Sequence, residues 1–293
     1  MHKAGFVNIV GLPNVGKSTL MNALMGEKMS IITPKAQTTR HRIRGIWNRD
    51  DYQVVFCDTP GYITQPAYKL QANMNEFVEE AFTDADIVLF VTDKFQKNEE
   101  QAALHTYLQK SKAPVVVAIN KLDLCKPEEA QKLSEKWQAD LPSATVFIIS
   151  AEHKHAVNEL RNKIIELLPE SPPYFEKDQI TDRAVRFFVT EIVREKLLLL
   201  YDKEIPYSCE VEIESFKEAE NIDRIRCNIF VERESQKAII IGNKGEAIKK
   251  LGIESRKSVE QLTGKQAHLE LFVKVKDKWR NDENALRKFG YKI

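Results

Sequence analysis

Five short runs of mainly apolar residues, rich in β-branched side chains, recur through the first half of the chain. They occupy residues 6–10, 53–57, 87–91, 115–119 and 145–149. Each run is continuous rather than alternating, which is typical of strands that are buried on both faces of a parallel sheet. The pattern therefore predicts five strands of one such sheet.

Segments with the period of an amphipathic helix lie between these runs. They cover residues 19–25, 99–109, 127–140 and 157–168. Alternation of strand and helix is the pattern of an open α/β sheet, in which ligands bind at the carboxyl ends of the strands. Polar residues at those strand ends are therefore the first candidates for a functional site.

A Ser-Pro-Pro sequence at residues 171–173 follows the last of these helices. Proline cannot continue a helix, so we predict a domain boundary here, with domains at residues 1–173 and 174–293. Beyond it, helical spacing and strand-like alternation follow a different order. Helices are predicted at 184–200, 235–241 and 246–262, and strands at 208–216, 224–231 and 268–275. The second domain is therefore expected to be a smaller α+β module.

The sequence Gly-Leu-Pro-Asn-Val-Gly-Lys-Ser at residues 11–18 joins the first predicted strand to the first helix. Gly11 and Gly16 permit backbone angles that let successive N–H groups converge on phosphate oxygens at a helix N-terminus. Lys17 supplies positive charge for the terminal phosphates, and the Ser18 hydroxyl is placed to ligate Mg²⁺. We predict that this phosphate loop binds a nucleotide through Gly11, Pro13, Asn14, Val15, Gly16, Lys17, Ser18 and Thr19.

A second polar loop, Asp58-Thr59-Pro60-Gly61, ends the second apolar run. The Asp58 carboxylate can hold Mg²⁺ through a water, and the Gly61 N–H can donate to a γ-phosphate and so sense its presence. Alone, these four residues would form an ordinary turn. After a phosphate loop, they are expected to contact the nucleotide.

A third loop, Asn120-Lys121-Leu-Asp123, follows the fourth run. The Asp123 carboxylate can accept two parallel hydrogen bonds from guanine. Adenine presents no such pair of donors, which would leave the carboxylate unpaired at a cost of roughly 1–3 kcal/mol or more. Asn120 would brace the neighbouring loops, and the stem of Lys121 would cover the base. A backbone N–H at Ser150-Ala151, after the fifth run, is placed for the guanine carbonyl oxygen.

Residues 34–42 form a polar connection between the first helix and the next predicted strand. A threonine hydroxyl here can complete the Mg²⁺ shell when GTP is bound, which would make the segment an order-to-disorder switch. We favour Thr39 over Thr38 for this role. Three nearby arginines suit either a solvated basic loop or a phosphate-directed role: Arg40, Arg42 and Arg44.

These five loops together resemble those of a translation-factor-like small GTPase. In the second half, the residues Arg186-Phe187, Glu191, Arg194-Glu195, Glu204-Ile-Pro-Tyr-Ser208, Ile241-Gly-Asn-Lys-Gly245 and Leu271-Phe-Val-Lys-Val275 resemble the Era family of bacterial GTPases. The resemblance covers essentially the whole chain. It implies a GTPase domain joined to a type II KH domain that binds small-subunit (16S) ribosomal RNA near its 3′ end. It further implies a role in 30S assembly and rRNA maturation, and peripheral association with the inner membrane; we expect a monomer.

The predicted KH module also has a physical basis for RNA binding. Gly242 and Gly245 let the backbone between two helices approach phosphates closely. Residues 237–293 carry 14 Lys and Arg against 7 Asp and Glu, a balance of +7, although charge alone would favour a solvated face. Residues 239–241 and Ile248 line either an apolar floor for bases or the core. The predicted RNA contacts are Ile241, Gly242, Asn243, Lys244, Gly245, Lys249 and Lys250.

Hydrolysis is expected to proceed by in-line attack of water on GTP, with Lys17 and Mg²⁺ neutralising charge and with Thr39 and Gly61 at the γ-phosphate. Many small GTPases carry a glutamine where this chain has Tyr62, so intrinsic turnover should be slow. In GTPases with similar loops, an asparagine at the position of Asn14 helps to hold K⁺. We therefore keep K⁺ as a hypothesis.

Scattered cysteines and the lack of an apolar membrane span or signal peptide predict a cytoplasmic protein in a reducing compartment. Two alternatives from other classes stay open. One is a membrane-recruited signalling G protein whose second domain binds protein or lipid, and the other is an ATPase.

Overall fold

The computed structural model describes residues 1–291 and separates into two units. The first unit comprises Met1–Ala67 and Gln71–Asp182, and the second comprises Tyr68–Leu70 and the chain from Arg183 onward. Residues 292 and 293, which end the predicted second domain, lie outside the described residues.

A six-stranded sheet forms the centre of the first unit, in the order β2-β3-β1-β4-β5-β6. Its strands are β1 (Lys3–Val10), β2 (Ile43–Asn48), β3 (Tyr52–Asp58), β4 (Ile87–Thr92), β5 (Val115–Ile119) and β6 (Thr145–Ile148). All neighbouring pairs are parallel except β2 with β3. The predicted α/β class with a mostly parallel sheet is confirmed.

The helices of this unit are α1 (Lys17–Met25), α2 (Lys69–Thr83) from Gln71 onward, α3 (Asn98–Lys110), α4 (Pro127–Asp140) and α5 (Val157–Leu167). Strand β2 and helix α2 are absent from the predicted elements. In β2, Arg44 and Gly45 interrupt the apolar pattern, as is common in an edge strand. In α2, by contrast, the buried Leu70, Met74 and Val78 recur at helical spacing, a signal that the sequence analysis did not use.

The segment between the units, residues 174–182, is tied to the first unit by hydrogen bonds. The fully buried Gln53 side chain accepts from the N–H groups of Tyr174 (2.7 Å) and Phe175 (3.1 Å) and donates to the Phe175 carbonyl (2.8 Å). Further along, the Ile46 N–H donates to the Ile180 carbonyl (2.9 Å). The division therefore falls after Asp182 rather than after the predicted residue 173, because this connecting segment covers the exposed edge of β2.

The second unit is an α+β module around a three-stranded sheet in the order β7-β8-β9. Its elements are α6 (Val185–Leu200), α7 (Ile205–Ser208), β7 (Glu210–Lys217), β8 (Ile222–Val231), α8 (Glu234–Ile241), α9 (Glu246–Thr263), β9 (Gln266–Val275) and α10 (Glu283–Lys288). β7 pairs antiparallel and β9 parallel with β8. The core includes Val193 and Leu197 of α6, Ile229 of β8 and Leu251 of α9. Helix α10 was not among the predicted elements.

Within the described part of the chain, none of the helices combines the length and the hydrophobicity that a bilayer crossing requires.

The connecting segment supplies a first prediction. Gln53→Leu should lower the free energy of unfolding by about 1–3 kcal/mol, because it leaves partly buried backbone groups of residues 174–175 unpaired. Trypsin should also cut faster at Lys177 in the same segment. The matched control is Gln138→Leu, whose exposed amide likewise donates to backbone carbonyls and whose loss should cost less than about 0.5 kcal/mol. Urea unfolding measures both variants, and equal losses would contradict the assignment.

Candidate functional site

The phosphate loop joins the carboxyl end of β1 to the first residue of α1, so the unpaired N–H groups of the first helical turn lie beside it. Gly16 has φ of 94°, in the left-handed region, and a Cβ there would lie 2.3 Å from the Asn120 amide nitrogen. A side chain at this position would therefore be both strained and obstructed. The loop conformation requires the glycine that the sequence motif specifies.

The Lys17 side chain is buried within this loop. Its ammonium group donates to the carbonyls of Leu12 (2.8 Å) and Gly11 (3.2 Å). Burial lowers the pKa of Lys17 from 10.5 to about 8, against the opposing charge of Asp58. The amine is therefore held close to the position where phosphates are expected, in a setting that favours a further anion.

Three predicted metal ligands meet beside Lys17. The Ser18 hydroxyl donates to Asp58 Oδ2 (2.6 Å), the Thr39 hydroxyl donates to the same oxygen (3.1 Å), and the two hydroxyl oxygens are 2.9 Å apart. Asp58 Oδ1 is buried with no hydrogen-bond partner among the described residues. Burial raises the pKa of this carboxyl group. A set of hard oxygen donors with an unsatisfied carboxylate oxygen fits Mg²⁺.

The structure places the two candidate threonines differently. The Thr38 hydroxyl is bonded to Thr33 Oγ1 and the Lys35 carbonyl, both at 2.7 Å, whereas Thr39 faces Ser18 and Asp58. The geometry thus supports the preference for Thr39.

Burial of Arg40 excludes a solvated loop for this residue, and Arg42 and Arg44 form ion pairs within the first unit. Arg40 is fully buried, Arg42 forms an ion pair with Asp84 (2.7 Å), and Arg44 forms one with Asp182 (2.7 Å). Arg42 and Arg44 thus anchor β2 and the residues before it within the first unit, because buried and half-buried guanidinium groups need partners.

The loop of residues 58–61 rests on the phosphate loop. A Cβ on Gly61 would lie 2.6 Å from the Cα of Pro13, and the Tyr62 N–H donates to the Gly11 carbonyl (3.2 Å). The Thr59 hydroxyl donates to the backbone of β1 (2.7 Å), and Pro60 separates it from Gly61. Only glycine permits this close approach of the two loops.

Asn120 connects three of the predicted loops. Its amide group donates to the Val15 carbonyl (2.9 Å) and accepts from the Ala151 N–H (2.9 Å). The predicted bracing role matches these contacts. A backbone N–H at Ser150-Ala151 was expected to face a guanine oxygen. In the structure the Ala151 N–H donates to Asn120, and the Ser150 N–H donates to the His155 carbonyl (3.2 Å).

Asp123 is exposed and is oriented by Ser150, whose hydroxyl donates to Asp123 Oδ1 (2.5 Å). This hydrogen bond lowers the pKa of Asp123 below its usual range. The carboxylate is therefore charged near neutral pH. The Ser150 side chain holds it in place, whereas the sequence had suggested a role only for the backbone N–H at residues 150–151.

Residues of the phosphate loop, Thr39, Gly61 and Lys121 line a cleft of about 430 Å³, within the size range of small-ligand sites. Its walls include Asn14, Lys17, Thr19, Thr39 and Lys121. They also include Pro34 and Gln37 of the predicted switch segment (residues 34–42), and three residues before it that were not predicted: Ile31, Ile32 and Thr33. The adjacent Ile31 and Ile32, in the connection after α1, were the sequence feature that could have indicated this wall.

The second unit carries a different candidate site at the GxxG loop, residues 242–245. Gly242 has φ of 73°, and a Cβ there would lie 2.5 Å from Ala247, whereas a Cβ on Gly245 would meet open space. Lys244 has φ of 48° and is exposed, so its charge faces solvent with Asn243 beside it. Helix α9 begins directly after the loop, which leaves its N-terminal N–H groups available to an anion.

A groove of about 360 Å³ runs between α9 and β9 in this unit. Ile248, Lys249 and Arg256 line it from the helix, and His268 lines it from the strand. Of the residues expected to form its floor or the core, Ile240 is fully buried and Ile239 is half exposed. Lys250 is exposed on α9. The groove combines apolar surface with positive charge, as single-stranded nucleic acid requires.

Fold and sites together define a phosphate-loop GTPase unit followed by a KH unit. A family model described as a 50S ribosome-binding GTPase matches residues 6–121, and a KH domain model matches residues 204–280. GTPase Era of Pasteurella multocida is 45% identical over 98% of this chain and 94% of its own length. GTPase Era of Elusimicrobium minutum is 42% identical over 99% and 97%.

Two solved structures extend the comparison, each with 37% identity and a TM-score of 0.95. One is a variant of Aquifex aeolicus Era bound to GDP·AlF₄⁻, covering 99% of this chain and 100% of that chain. The other is Era in complex with MgGDPNP and nucleotides 1506–1542 of 16S ribosomal RNA, covering 100% of both chains. This chain belongs to the Era family of GTPases.

The burial of Lys17 generates a second prediction. Because its folded-state pKa of about 8 lies below the unfolded value of 10.5, the unfolded chain binds more protons between these pH values, and stability rises with pH across that window. Relative to Lys17→Met, the nucleotide-free wild type should gain about 3 kcal/mol between pH 8 and pH 10.5. Urea unfolding at several pH values measures the difference.

Lys132→Met, at an exposed site on α4, is the control and should show a constant difference from wild type. A pH-independent difference for Lys17→Met would contradict the buried amine.

Proposed function

We propose that this chain is a GTP-hydrolysing switch that binds small-subunit ribosomal RNA near its 3′ end and assists assembly of the 30S subunit. The observation that carries the proposal is the two-ended first site. At one end Lys17, Ser18 and Asp58 gather the charges that a metal and phosphates require, and at the other Asp123 presents an oriented carboxylate.

Ser18, Thr39 and Asp58 are the residues that would hold Mg²⁺. When bound, the ion neutralises charge on the β- and γ-phosphates. Lys17 adds a second positive charge, which its two carbonyl contacts hold within the loop. The related complexes with MgGDPNP and with GDP·AlF₄⁻ support this assignment.

The base end discriminates by hydrogen bonding. Asp123, held by Ser150, accepts from guanine, while Asn120 keeps this loop against the phosphate loop. A site built to pair with two donors rejects a base that lacks them, because the carboxylate loses its partners. Hydrogen bonding at Asp123 therefore favours GTP over the alternative of ATP.

Slow hydrolysis follows from Tyr62, which occupies the position after Gly61. Its phenol cannot accept from and donate to the attacking water as a glutamine amide does. Asn14 is exposed beside Lys17 in the phosphate loop, and the proposal includes K⁺ binding there.

The RNA surface of the proposal is the GxxG loop with the groove between α9 and β9. Lys244 and the open side of Gly245 permit close approach of phosphates, and the groove offers apolar walls for unpaired bases. The Era complex with nucleotides 1506–1542 of 16S ribosomal RNA supports RNA near the 3′ end as the partner. Cytoplasmic location, peripheral inner-membrane association and a monomeric state are further parts of the proposal that rest on the family resemblance.

Guanine selection is tested by Asp123→Asn. An amide at this position can donate to the extra carbonyl of xanthine, so GDP affinity should fall roughly 10- to 100-fold while affinity for xanthosine diphosphate rises. Calorimetric titration with both nucleotides measures the exchange. Asp50→Asn, at an exposed turn between β2 and β3, should leave both affinities unchanged. Loss of GDP binding without any gain for the xanthine nucleotide would contradict the base-pairing role.

RNA binding is tested by Lys244→Asp, because aspartate tolerates the positive φ of this position. Affinity for an oligoribonucleotide with the sequence of 16S nucleotides 1506–1542 should fall about tenfold, and the slope of log affinity against log salt should decrease by about one. The matched control is Lys203→Asp, another exposed lysine at positive φ in the same unit. Fluorescence anisotropy at several salt concentrations measures both, and equal losses would contradict a specific role for the loop.

A further inference from the structure

A buried carboxylate, Asp93, lies directly after the carboxyl end of β4, and the site described above does not use it. Its side chain is 0% exposed. Oδ1 accepts from the Phe95 N–H (2.9 Å) and from the Gln96 side-chain amide (3.1 Å). These contacts fix the carboxylate within its own loop and leave the buried Oδ2 without a hydrogen bond from that loop.

Asp93 Oδ2 forms an ion pair with Lys121 of the guanine loop (residues 120–123), at 2.7 Å from Nζ. The same ammonium group donates to the carbonyl of Asn14 in the phosphate loop, at 2.6 Å. Lys121, which belongs to the guanine loop, therefore contacts both the residue that follows β4 and the phosphate loop. Its side chain is part of the cleft wall.

The physical consequence concerns the flexible stem of this lysine. A lysine side chain loses rotamer freedom when it is fixed, and a site in which it is already fixed does not lose this freedom on binding. A buried carboxylate also requires an opposite charge, so the ion pair is strongly preferred to separation. Asp93 thereby holds the aliphatic stem of Lys121 in the place where a base would lie against it.

We propose that Asp93 is a positioning residue for the guanine base, acting through Lys121. It holds the lysine stem across the base end of the cleft, and Lys121 in turn ties the guanine loop to the phosphate loop through the Asn14 carbonyl. This inference rests on the proposed function, because it requires that the cleft take a guanine nucleotide. It predicts that Asp93 affects binding of GTP and GDP alike, since both present the same base.

The test is a double-mutant cycle with Asp93→Asn, Lys121→Ala and the double variant, in the full chain. Asp93→Asn should raise the Kd of GDP and of GTP by a similar factor of about ten, through faster dissociation. Lys121→Ala should cost at least as much, and the double variant should match Lys121→Ala within about twofold, because Asp93 has no effect once the stem is gone. In turnover, the loss should fall on the KM for GTP rather than on kcat.

Asp86→Asn is the matched control, since its carboxylate accepts from the Phe6 N–H (2.8 Å) at the opposite end of β4. It should leave nucleotide affinity unchanged. Lys121→Met keeps an apolar stem without its charge and breaks the same ion pair from the other side. It should reproduce the affinity loss of Asp93→Asn, which keeps the proposal testable where Asp93→Asn does not fold.

The role of Asp93 would be overturned by additive losses in the double variant or by an effect on kcat alone. Unchanged affinity in Asp93→Asn or in Lys121→Met would also overturn it. The wild type is titrated alongside the variants. Absence of wild-type binding would overturn the proposed function together with this inference, whereas normal wild-type binding with unaltered variants would overturn the inference alone.

Discussion

The amide of Asn120 sets the spatial relation on which the first site depends. It is almost fully buried, and it bonds to the phosphate loop through Val15 and to the last loop through Ala151. Gly16 lies so close to this amide that a methyl group would not fit between them. Because parallel strands deliver all three loops to the same edge of the sheet, one side chain can fix the distance between the phosphate end and the base end of the cleft.

The phosphate end is built at a cost in stability. Burial lowers the pKa of Lys17 and raises that of Asp58, so each charged form is disfavoured by loss of water in the folded chain. The two groups partly compensate each other, and Ser18 and Thr39 donate to the carboxylate. An anion and a cation placed here would complete this compensation. Such sites, which are destabilising until the ligand binds, are where function commonly opposes maximal stability.

Sequence reasoning succeeded where one residue type is physically required. Gly16 and Gly61 each occupy a position that no side chain can share, and their spacing along the chain was sufficient to predict the loops. It failed where the determining contact is distant in sequence. The boundary after Asp182 depends on Gln53, whose hydrogen bonds reach residues 174–175. The part played by Ser150 depends on its side chain rather than its backbone, which only the folded geometry reveals.

The central claim is that a single carboxylate, that of Asp123 held by Ser150, makes this a guanine nucleotide site. Isothermal titration calorimetry of the purified chain with GTP and with ATP, in the presence of Mg²⁺, tests it most directly. The account predicts that GTP binds at least about 100-fold more tightly than ATP. Equal affinities for the two nucleotides would contradict it.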